Sequence, residues 1–462
     1  MTIQDMTLSK HSNVPMYKQI ADQLSKQIDH GDLKANQKLP THRKLADQLQ
    51  VTVGTVTRAY AEVERRGLIE ARVGSGTYVT DKQKSSWVFA ESKASENECN
   101  FGYNIPPQIE RSDMLTKAMG IISQSPQMLN QLMMYQSPNG IESHRAQVCQ
   151  WLNKKGVQLN REQLLFSSGA QHGIQMVLDT FTRAGDTLFV EKYTYPGLLS
   201  LARQKQLSVK GIEMDEEGVI PESLDAACKQ NQARFIYLTP TFQNPTTAIM
   251  SPERRQAIIE VCNQHNLLII EDDINGLLAE EINPPLVNFA PEHVIHIGAF
   301  SKILAPGLRV GYLHAPQALY QNLVATLQNH SWMISPLLTA LVCELTSNGA
   351  ADRVLDEIRQ EVSDRLEIAL NSLTPFNPIF KKDCFHIWLP IPEQWRMSDF
   401  VVAAEKQGVT VKSGELFSPP AGSISPHVRL ALSSPIDQAQ LMHGLTKLET
   451  LLKTDPLTEF AL

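Results

Sequence analysis

The 462-residue chain lacks several features that would assign it to a specialised class. Its six cysteines include no close CxxC pair, which argues against both a zinc site and a disulfide framework. No uninterrupted apolar stretch has the length of a membrane-spanning helix, and no basic patch followed by an apolar stretch suggests a signal peptide. We therefore expect a cytoplasmic protein without a metal ion, built from about two to four domains.

The charge of the chain is unevenly distributed. The net charge is −7, but residues 1–80 carry 11 basic and 8 acidic side chains, whereas the remainder carries 31 basic and 41 acidic ones. A basic head on an acidic body is typical of local contact with nucleic acid. Because many neutral domains show a similar asymmetry, charge alone does not decide the function.

Residues 1–80 have the helical pattern of a DNA-binding domain. Apolar residues at helical spacing predict a first helix over 16–28, and Thr41 and Thr52 are suited to cap a second and a third helix. The third helix, expected over 53–66, has an apolar face and an opposite face of small and polar residues around Arg58. Such a face lets the backbone approach a major groove closely.

A predicted hairpin follows the three helices. Two short strands, at 68–72 and 77–80, flank Gly74-Ser75-Gly76. A generic small helical domain with a hairpin is the alternative, but the order of three helices and a wing within about 80 residues favours a winged helix-turn-helix.

Several motifs in this region resemble the GntR-type DNA-binding domain. They are Pro15-Met16-Tyr17, Leu39-Pro40-x-x-Arg43, Leu45-Ala46, Thr55-Val56-x-Arg58-Ala59-Tyr60 and Gly74-Ser75-Gly76-Thr77-Tyr78-Val79. The resemblance covers residues 13–80 and implies a double-stranded DNA operator as partner. Val53 stands where many members have an arginine just before the recognition helix, which affects part of the usual base readout. The residues implied in DNA contact are Arg43, Thr52, Thr55, Arg58 and the wing around Gly76.

Beyond a polar segment at 81–98, which predicts a flexible linker, apolar runs alternate with helical segments. This alternation predicts an α/β fold with a mostly parallel sheet, in which ligands collect at the carboxyl ends of the strands. Expected strands lie at 164–166, 187–190, 235–238, 267–270 and 294–297, and expected helices at 171–181, 252–265 and 352–370.

Lys302 lies in the most informative motif, Ser301-Lys302-Ile303-Leu304-Ala305-Pro306-Gly307-Leu308-Arg309, and Asp272 ends another apolar run. A lysine that forms a Schiff base, an arginine that binds phosphate and a carboxylate beside a ring nitrogen are what pyridoxal 5′-phosphate (PLP) requires. Arg309 can also lower the pKa of Lys302, because the two charges are alike.

Three other strand ends carry residues suited to such a ligand. Ser167-Ser168-Gly169-Ala170-Gln171 begins a helix whose free N–H groups can bind an anion, although an ordinary turn has the same pattern. Tyr195 could stack on a flat ring. Asn244 could donate a hydrogen bond to a phenolate oxygen or merely shape a turn.

Together these motifs resemble the fold-type-I PLP aminotransferases over residues 99–450. A winged helix ahead of that fold is the architecture of the MocR subfamily of GntR regulators. The resemblance implies a homodimer, a small C-terminal α+β subdomain at about 345–450 and a tail at 451–462. Lys302 would form the internal aldimine, and Arg429 would bind an effector carboxylate. The implied cofactor-binding residues are Ala170, Gln171, Tyr195, Asn244, Asp272, Ser301, Lys302 and Arg309, with Tyr135 lent by the partner chain.

Four positions depart from the family pattern. Ile274-Asn275 replaces a tyrosine that normally bonds the cofactor hydroxyl, and Asn275 lacks the acidity of that group. Ala299 stands where a phosphate-binding serine is common, and Thr247 and Asp383-Cys384 take the places of glycines. We interpret these changes as a loss of catalytic power with the aldimine retained.

Three functions remain open at this stage. The first is a PLP-dependent transcriptional regulator that senses an amine, an amino acid or PLP itself through an aldimine at Lys302. The second is an active PLP-dependent aminotransferase carrying a DNA-binding head, which the retained Lys302 and Arg429 support. The third is a DNA-binding scaffold without PLP. The effector, the operator and the regulated genes are not identified by the sequence.

Overall fold

The computed structural model describes residues 6, 8, 14–29, 32–34, 37–66, 68–72, 76–79, 98–281, 283–420, 422 and 425–456. The chain divides into two compact units, Met1–Lys93 and Ala94–Leu462, which we call the head and the body. Three sequence-predicted features lie wholly or partly outside the described residues: the wing turn at Gly74-Ser75, the linker over 81–97 and the tail from 457 onward.

The head contains the expected three helices and the hairpin. Thr41 and Thr52 cap their helices as expected, because the hydroxyl of Thr41 accepts from the Lys44 amide and that of Thr52 from the Thr55 amide. The elements are α1 (Met16–Asp29), α2 (His42–Leu49), α3 (Val53–Arg65) and the antiparallel strands β1 (Ile69–Arg72) and β2 (Gly76–Val79).

The apolar face of α3 packs into the core of the head. Val56, Ala59 and Val63 are fully buried there, together with Ile20 and Leu24 from α1. The Tyr60 hydroxyl donates to the Pro40 carbonyl at 2.8 Å, which satisfies the polar end of a buried ring. The spacing of the apolar residues therefore fixes which face of α3 remains exposed.

The body is built around a seven-stranded sheet with the order β4-β12-β11-β10-β9-β5-β6. All neighbouring pairs are parallel except those of β12, which runs antiparallel to both β11 and β4. The strands are β4 (Leu164–Ser167), β5 (Thr187–Glu191), β6 (Ser208–Ile212), β9 (Ala233–Leu238), β10 (Leu268–Asp272), β11 (Val294–Ala299) and β12 (Gly311–His314).

Helices surround this sheet, and most of its strand residues are fully buried. Near-continuous apolar strands such as Val294–Ile297 are expected when both faces of a parallel sheet are covered. The helices are α4 (Ser112–Ser123), α5 (Pro126–Leu132), α6 (Glu142–Lys154), α7 (Ala170–Phe181), α8 (Pro196–Gln204), α9 (Pro221–Gln230), α10 (Pro252–Gln264), α11 (Leu286–Phe289), α12 (Gln317–Ser331) and α13 (Pro336–Ser347). A two-stranded ribbon is formed by β7 (Met214–Asp215) and β8 (Gly218–Val219).

A second hydrophobic core lies in the C-terminal part of the body, around the three-stranded sheet β13-β16-β15. Residues 99–100 of β3 pair with β14, so the start of the body is part of this C-terminal structure. The elements are β3 (Cys99–Asn100), α14 (Ala350–Leu373), β13 (His386–Pro390), α15 (Met397–Lys406), β14 (Val409–Thr410), β15 (Lys412–Ser413), β16 (His427–Ala431) and α16 (Gln438–Lys453). The last helix continues past residue 450, and it buries Leu451 and Leu452.

The long helix α14 joins the two cores of the body. Val354, Ile358 and Val362 pack in the core of the large sheet, whereas Leu366 and Leu373 pack in the C-terminal core. No helix in the described part of the chain is long and apolar enough to cross a membrane.

Arg365, on α14, is almost completely buried and holds the loop that follows β16. Its guanidinium pairs with Glu361 at 2.6 Å and donates to the carbonyls of Leu432 and Pro435 at 3.0 and 2.8 Å. The side chain thus satisfies backbone acceptors that water cannot reach.

We predict that Arg365→Ala lowers the free energy of unfolding of the body by about 3 kcal/mol or more, because it leaves these carbonyls and Glu361 without their buried partner. Urea denaturation followed by circular dichroism measures the change. The control is Lys117→Ala, which removes an exposed ion pair with Asp113 and should cost less than about 0.5 kcal/mol. Equal effects of the two substitutions would contradict the role given to Arg365.

Candidate functional site

Four sequence-predicted site residues of the body, Asp272, Ser301, Lys302 and Arg309, lie at one edge of the large sheet. Asp272 ends β10, and Ser301 and Lys302 follow β11 closely. Because β12 is antiparallel to its neighbours, it begins at the edge where they end, and Arg309 lies just before it. The reversed strand therefore brings the arginine to the lysine and the carboxylate.

Lys302 is partly buried, and its amino group donates to the Asn104 carbonyl. Burial, together with the charges of Arg429 and Arg309, lowers the pKa of this lysine to about 8, although the charge of Asp272 acts in the opposite direction. An amine with a pKa near 8 is partly neutral at physiological pH and can act as a nucleophile.

Asp272 is a buried carboxylate with hydrogen bonds on both oxygens. Its Oδ2 accepts from the Tyr237 hydroxyl at 2.5 Å, and its Oδ1 accepts from the Ile274 amide at 3.2 Å. Burial raises the pKa of Asp272, whereas these hydrogen bonds and the charge of Lys302 favour the ionised form. The site thus contains an acceptor for a cationic group.

Arg429 and Asn244 contact each other at the buried end of the site. Arg429 donates from Nη1 to Asn244 Oδ1 at 3.0 Å and from Nη2 to the Gly102 carbonyl at 2.6 Å. The guanidinium lies 5.3 Å from the centre of the Phe417 ring. Burial lowers the pKa of Arg429 to about 10, so the side chain stays charged at neutral pH.

The N-terminus of α7 forms the other end of the site. Gly169 precedes the helix with a φ of 89°, and a Cβ there would lie 2.7 Å from Arg309 Nη2, so the close approach of the arginine requires glycine. Arg309 donates to the Ser168 carbonyl at 3.0 Å, and Ala170 and Gln171 are the first residues of the helix. Free backbone amides beside an arginine are suited to bind a phosphate.

The two predicted tyrosines differ in their surroundings. Tyr195 precedes α8 and its ring lies over Gly197, where an added Cβ would come within 2.4 Å of the ring. Burial raises the pKa of Tyr195 to about 12. Tyr135 is 79% exposed and contacts the Trp332 ring edge-on, with 5.8 Å between the ring centres; within the described part of the chain no hydrogen bond or ring contact joins it to Lys302.

The positions that depart from the family pattern lie in or beside the site. Thr247 and Asp383, which stand where glycine is usual, have φ values of 66° and 67°, a region that favours glycine. Asn275 is buried and donates to the Phe242 carbonyl at 3.2 Å. Ala299 is buried opposite Gly311, and its methyl side chain has no hydroxyl to offer a phosphate.

Several buried polar atoms around this edge have no hydrogen-bond partner among the described residues. Such atoms are rare in folded proteins and mark places where a polar ligand would be favourable. They are Asn104 Oδ1, Gln171 Oε1, Thr194 Oγ1, Thr247 Oγ1, Asn275 Oδ1 and Arg429 Nε.

In the head, the predicted DNA-contact residues lie on the exposed side of α2 and α3. Arg43 and Arg58 are exposed. The hydroxyls of Thr52 and Thr55 bond each other at 2.9 Å at the start of α3, and Gly76 begins β2 with a φ of 115°. Gly76 also contacts Lys38, since an added Cβ would lie 2.9 Å from the lysine Cε.

Comparison with known proteins covers both units. Residues 16–79 match the family of bacterial regulatory proteins of the gntR type, and residues 96–448 match the family of class I and II aminotransferases. The HTH-type transcriptional regulator YdeF of Bacillus subtilis is 29% identical over 446 residues, which cover 96% of this chain and 95% of that protein. The chain belongs to the family of class I and II aminotransferases and carries a GntR-type helix-turn-helix domain ahead of it, which is consistent with the MocR-type transcriptional regulators.

Other relatives agree with this assignment. The HTH-type transcriptional regulator NorG of Staphylococcus aureus is 26% identical and covers 90% of this chain and 99% of its own length. An archaeal alanine:glyoxylate aminotransferase shares the fold of the body, with a TM-score of 0.72, 23% identity and coverage of 80% of this chain and 94% of that one. LysN, an α-aminoadipate aminotransferase of Thermus thermophilus, has a TM-score of 0.70 at 24% identity, covering 80% of this chain and 96% of its own.

Three contacts of the regulator's site were not predicted from the sequence. Tyr237 is the penultimate residue of the buried strand β9, where an aromatic residue usually fills a core. The carbonyls of Gly102 and Asn104 belong to the backbone, so their side chains give no sign of the contact. Only the alternation of side chains along the strand could have indicated the contact of Tyr237, because it places Tyr237 on the same face as Thr239, which follows the end of β9.

We predict that the reactivity of Lys302 toward acetic anhydride rises with a midpoint near pH 8, because burial lowers its pKa. The regulator is first dialysed against hydroxylamine to remove any carbonyl compound, and peptide mass spectrometry then measures acetylation from pH 6 to about pH 11. Lys382 serves as the control, since its hydrogen bond to Glu280 raises its pKa and its reactivity should rise later. A Lys302 midpoint above that of Lys382 would contradict the electrostatics of the site.

Proposed function

We propose that this protein is a PLP-dependent regulator that binds an operator through its head and senses an amine or amino-acid effector, or PLP itself, through the amino group of Lys302. One observation carries the proposal: Lys302, Asp272 and Arg309 lie at one edge of the large sheet, close to Arg429 of β16, in a chain that also has a GntR-type head. A DNA-binding regulator acts in the compartment that holds the chromosome, which is the cytoplasm.

The residues at the sheet edge fit PLP. Lys302 would hold the cofactor covalently, Asp272 would pair with its ring nitrogen, Tyr195 would lie against the ring and Asn244 would reach its hydroxyl. The backbone at Ala170 and Gln171, together with Ser301 and Arg309, would bind the phosphate. The buried unpartnered oxygens of Gln171 and Asn275 support this fit, because a polar ligand offers them partners. Bound PLP would supply an aldehyde that condenses with amines and a ring that withdraws electrons.

The charges of the site also indicate the class of effector. Three cationic side chains, Lys302, Arg309 and Arg429, lie around Asp272, and burial raises the pKa of the neighbouring carboxylates Glu191 and Asp273, so the site favours anionic ligands. Arg309 is positioned for a phosphate. Arg429 is left for a second anion, and a planar guanidinium binds a carboxylate in a bidentate manner. An amino acid therefore fits better than a simple amine.

The segment around Gly102 offers a route from the site toward the head. The carbonyls of Gly102 and Asn104 accept hydrogen bonds from Arg429 and Lys302, the two groups that an effector would engage. An effector carboxylate would compete with Gly102 for Arg429. Because this segment directly follows the linker in the sequence, its displacement is a means by which effector binding could change operator affinity. Such coupling needs an effector that binds the two states unequally.

An active aminotransferase with a DNA-binding head is the alternative. The retained lysine and Arg429 favour it, and turnover with pairs of amino acids and keto acids would establish it. Against it, the amide of Asn275 stands near the place of a tyrosine hydroxyl and is engaged with the Phe242 carbonyl. The phosphate side also lacks the hydroxyl that a serine at Ala299 would provide. These substitutions favour a sensor with at most vestigial transaminase activity.

We infer a homodimer as the functional unit. Apolar side chains are exposed near Tyr135: Met133 and Met134 are each 63% exposed, and Trp332 is 49% exposed. Exposed apolar patches of this kind mark interaction sites. A second copy of the chain would cover them, and Tyr135 would then be available to the partner's phosphate site.

We predict that Arg43→Ala and Arg58→Ala each weaken operator binding by about 1–3 kcal/mol, because each removes an exposed cation from the groove-facing side of the head. Operator duplexes selected from a random pool are titrated by fluorescence anisotropy at fixed salt. Arg183→Ala, an exposed arginine of the body, is the matched control and should leave the affinity unchanged. Unaltered affinity in both head variants would refute the assignment of this face.

We also predict that Lys302→Ala retains operator binding but loses the response to an effector, because the head is intact while the reactive amine is gone. Candidate amino acids and amines are added with PLP to the operator titration of the wild-type protein and the variant. Lys382→Ala, which removes an exposed lysine of the body, should respond like wild type. A full response in Lys302→Ala would refute sensing through this amine.

A further inference from the structure

Tyr237 is a buried tyrosine that contacts the carboxylate of the site directly. It lies on β9, is fully buried and donates its hydroxyl to Asp272 Oδ2 at 2.5 Å. In the parallel pairing of β9 with β10, Tyr237 is opposite Ile270, and Asp272 follows on the same face. The strand register therefore holds the tyrosine and the carboxylate together independently of any loop.

The proton of this hydrogen bond belongs to the tyrosine. Burial raises the pKa of Tyr237 well above its ordinary value, and the charge of Asp272 raises it further, so the phenol does not ionise near neutral pH. The neighbouring Thr239 side chain acts in the opposite direction on the pKa of this hydroxyl. A separation of 2.5 Å is within the range of hydrogen bonds from O–H groups to ionised oxygens, which are roughly twice as strong as neutral ones.

This contact stands apart from the other groups that face Asp272. The Ile274 amide donates to Oδ1, and Lys302 and His296 favour the ionised carboxylate through their charge. The carboxylates of Glu191 and Asp273 and the Tyr195 hydroxyl also lie close enough to interact with it electrostatically. Among these groups, Tyr237 is the side chain that hydrogen-bonds the carboxylate and also shares its strand face.

We propose that Tyr237 is a positioning residue that keeps Asp272 ionised and fixes the direction in which its carboxylate points. This inference rests on the proposed function, in which Asp272 pairs with a cationic ring nitrogen. A buried carboxylate without such a donor would tend to take up a proton, and a neutral acid pairs poorly with a cation. Tyr237 would therefore act on the cofactor through Asp272 and not by contact.

A purely structural role is the competing explanation, because a buried tyrosine also fills space. Tyr320 provides the matched comparison: it is also buried, and its hydroxyl donates to the Leu164 carbonyl at 3.2 Å, away from the site. Replacing either tyrosine by phenylalanine removes one hydroxyl and one hydrogen bond from the body. Only the change at Tyr237 should alter the behaviour of Asp272.

The first test is a double-mutant cycle on PLP affinity. PLP is titrated into the full-length wild-type protein, Tyr237→Phe, Asp272→Asn and the double variant, with binding followed by visible absorbance. Tyr237→Phe should weaken PLP binding about tenfold or more, as expected for the loss of a hydrogen bond to a charged group. In the Asp272→Asn background the same change should have a much smaller effect. Tyr320→Phe should leave PLP affinity unchanged.

The second test does not require PLP. Aspartate carboxyl groups are labelled with carbon-13, and the Asp272 signal is assigned from its absence in Asp272→Asn. Tyr237→Phe should move the titration of Asp272 to higher pH, because the ionised form loses a donor, while Tyr320→Phe should not move it. This readout separates a direct hydrogen bond from a general loss of packing.

An Asp272 titration that is the same in wild type and Tyr237→Phe overturns the proposal, as does an equal loss of PLP affinity in both backgrounds of the cycle. Failure of the wild-type protein to bind PLP would refute the proposed function instead. The carbon-13 titration would still decide in that case whether Tyr237 controls the ionisation of Asp272.

Discussion

The structure of the site depends on the cost of placing charges at the buried edge of a sheet. An isolated carboxylate such as Asp272 would be expensive there, and so would the amine of Lys302. The fold lowers this cost by bringing the two together and by adding donors from the backbone and from Tyr237. The antiparallel strand β12 contributes Arg309 at the same edge. On this basis we propose that the site favours anionic ligands.

The same constraint connects ligand binding to the rest of the chain. Arg429 and Lys302 satisfy part of their hydrogen-bonding capacity on the carbonyls of Gly102 and Asn104, which belong to the segment that enters the body from the linker. A ligand that takes over these donors leaves the carbonyls without partners, so the segment must readjust. In an ordinary enzyme this rearrangement would accompany catalysis. In a chain that carries a DNA-binding head, we propose that this rearrangement changes operator affinity.

Much of this organisation could be predicted from the sequence. The head is defined by local signals, namely capping threonines and apolar spacing, and its elements agree with expectation to within one or two residues. Asp272 and Lys302 lie at or after strand ends, and Arg309 precedes the antiparallel strand β12, so sheet topology brings the three together. The contacts of Tyr237, Gly102 and Asn104 could not be predicted, because they depend on strand register and on backbone atoms. The positive φ of Thr247 and Asp383 shows that the backbone keeps the shape that glycine normally provides, although the residues have changed.

The visible absorption spectrum of the purified protein, followed by borohydride reduction and peptide mass spectrometry, tests the central claim most directly. The account predicts a visible band in the presence of PLP, its loss on reduction, and a phosphopyridoxyl group on the peptide that contains Lys302. Lys302→Ala should show neither the band nor the modified peptide. A protein that stays colourless with added PLP, or one that is modified at another lysine, would contradict the assignment of this site.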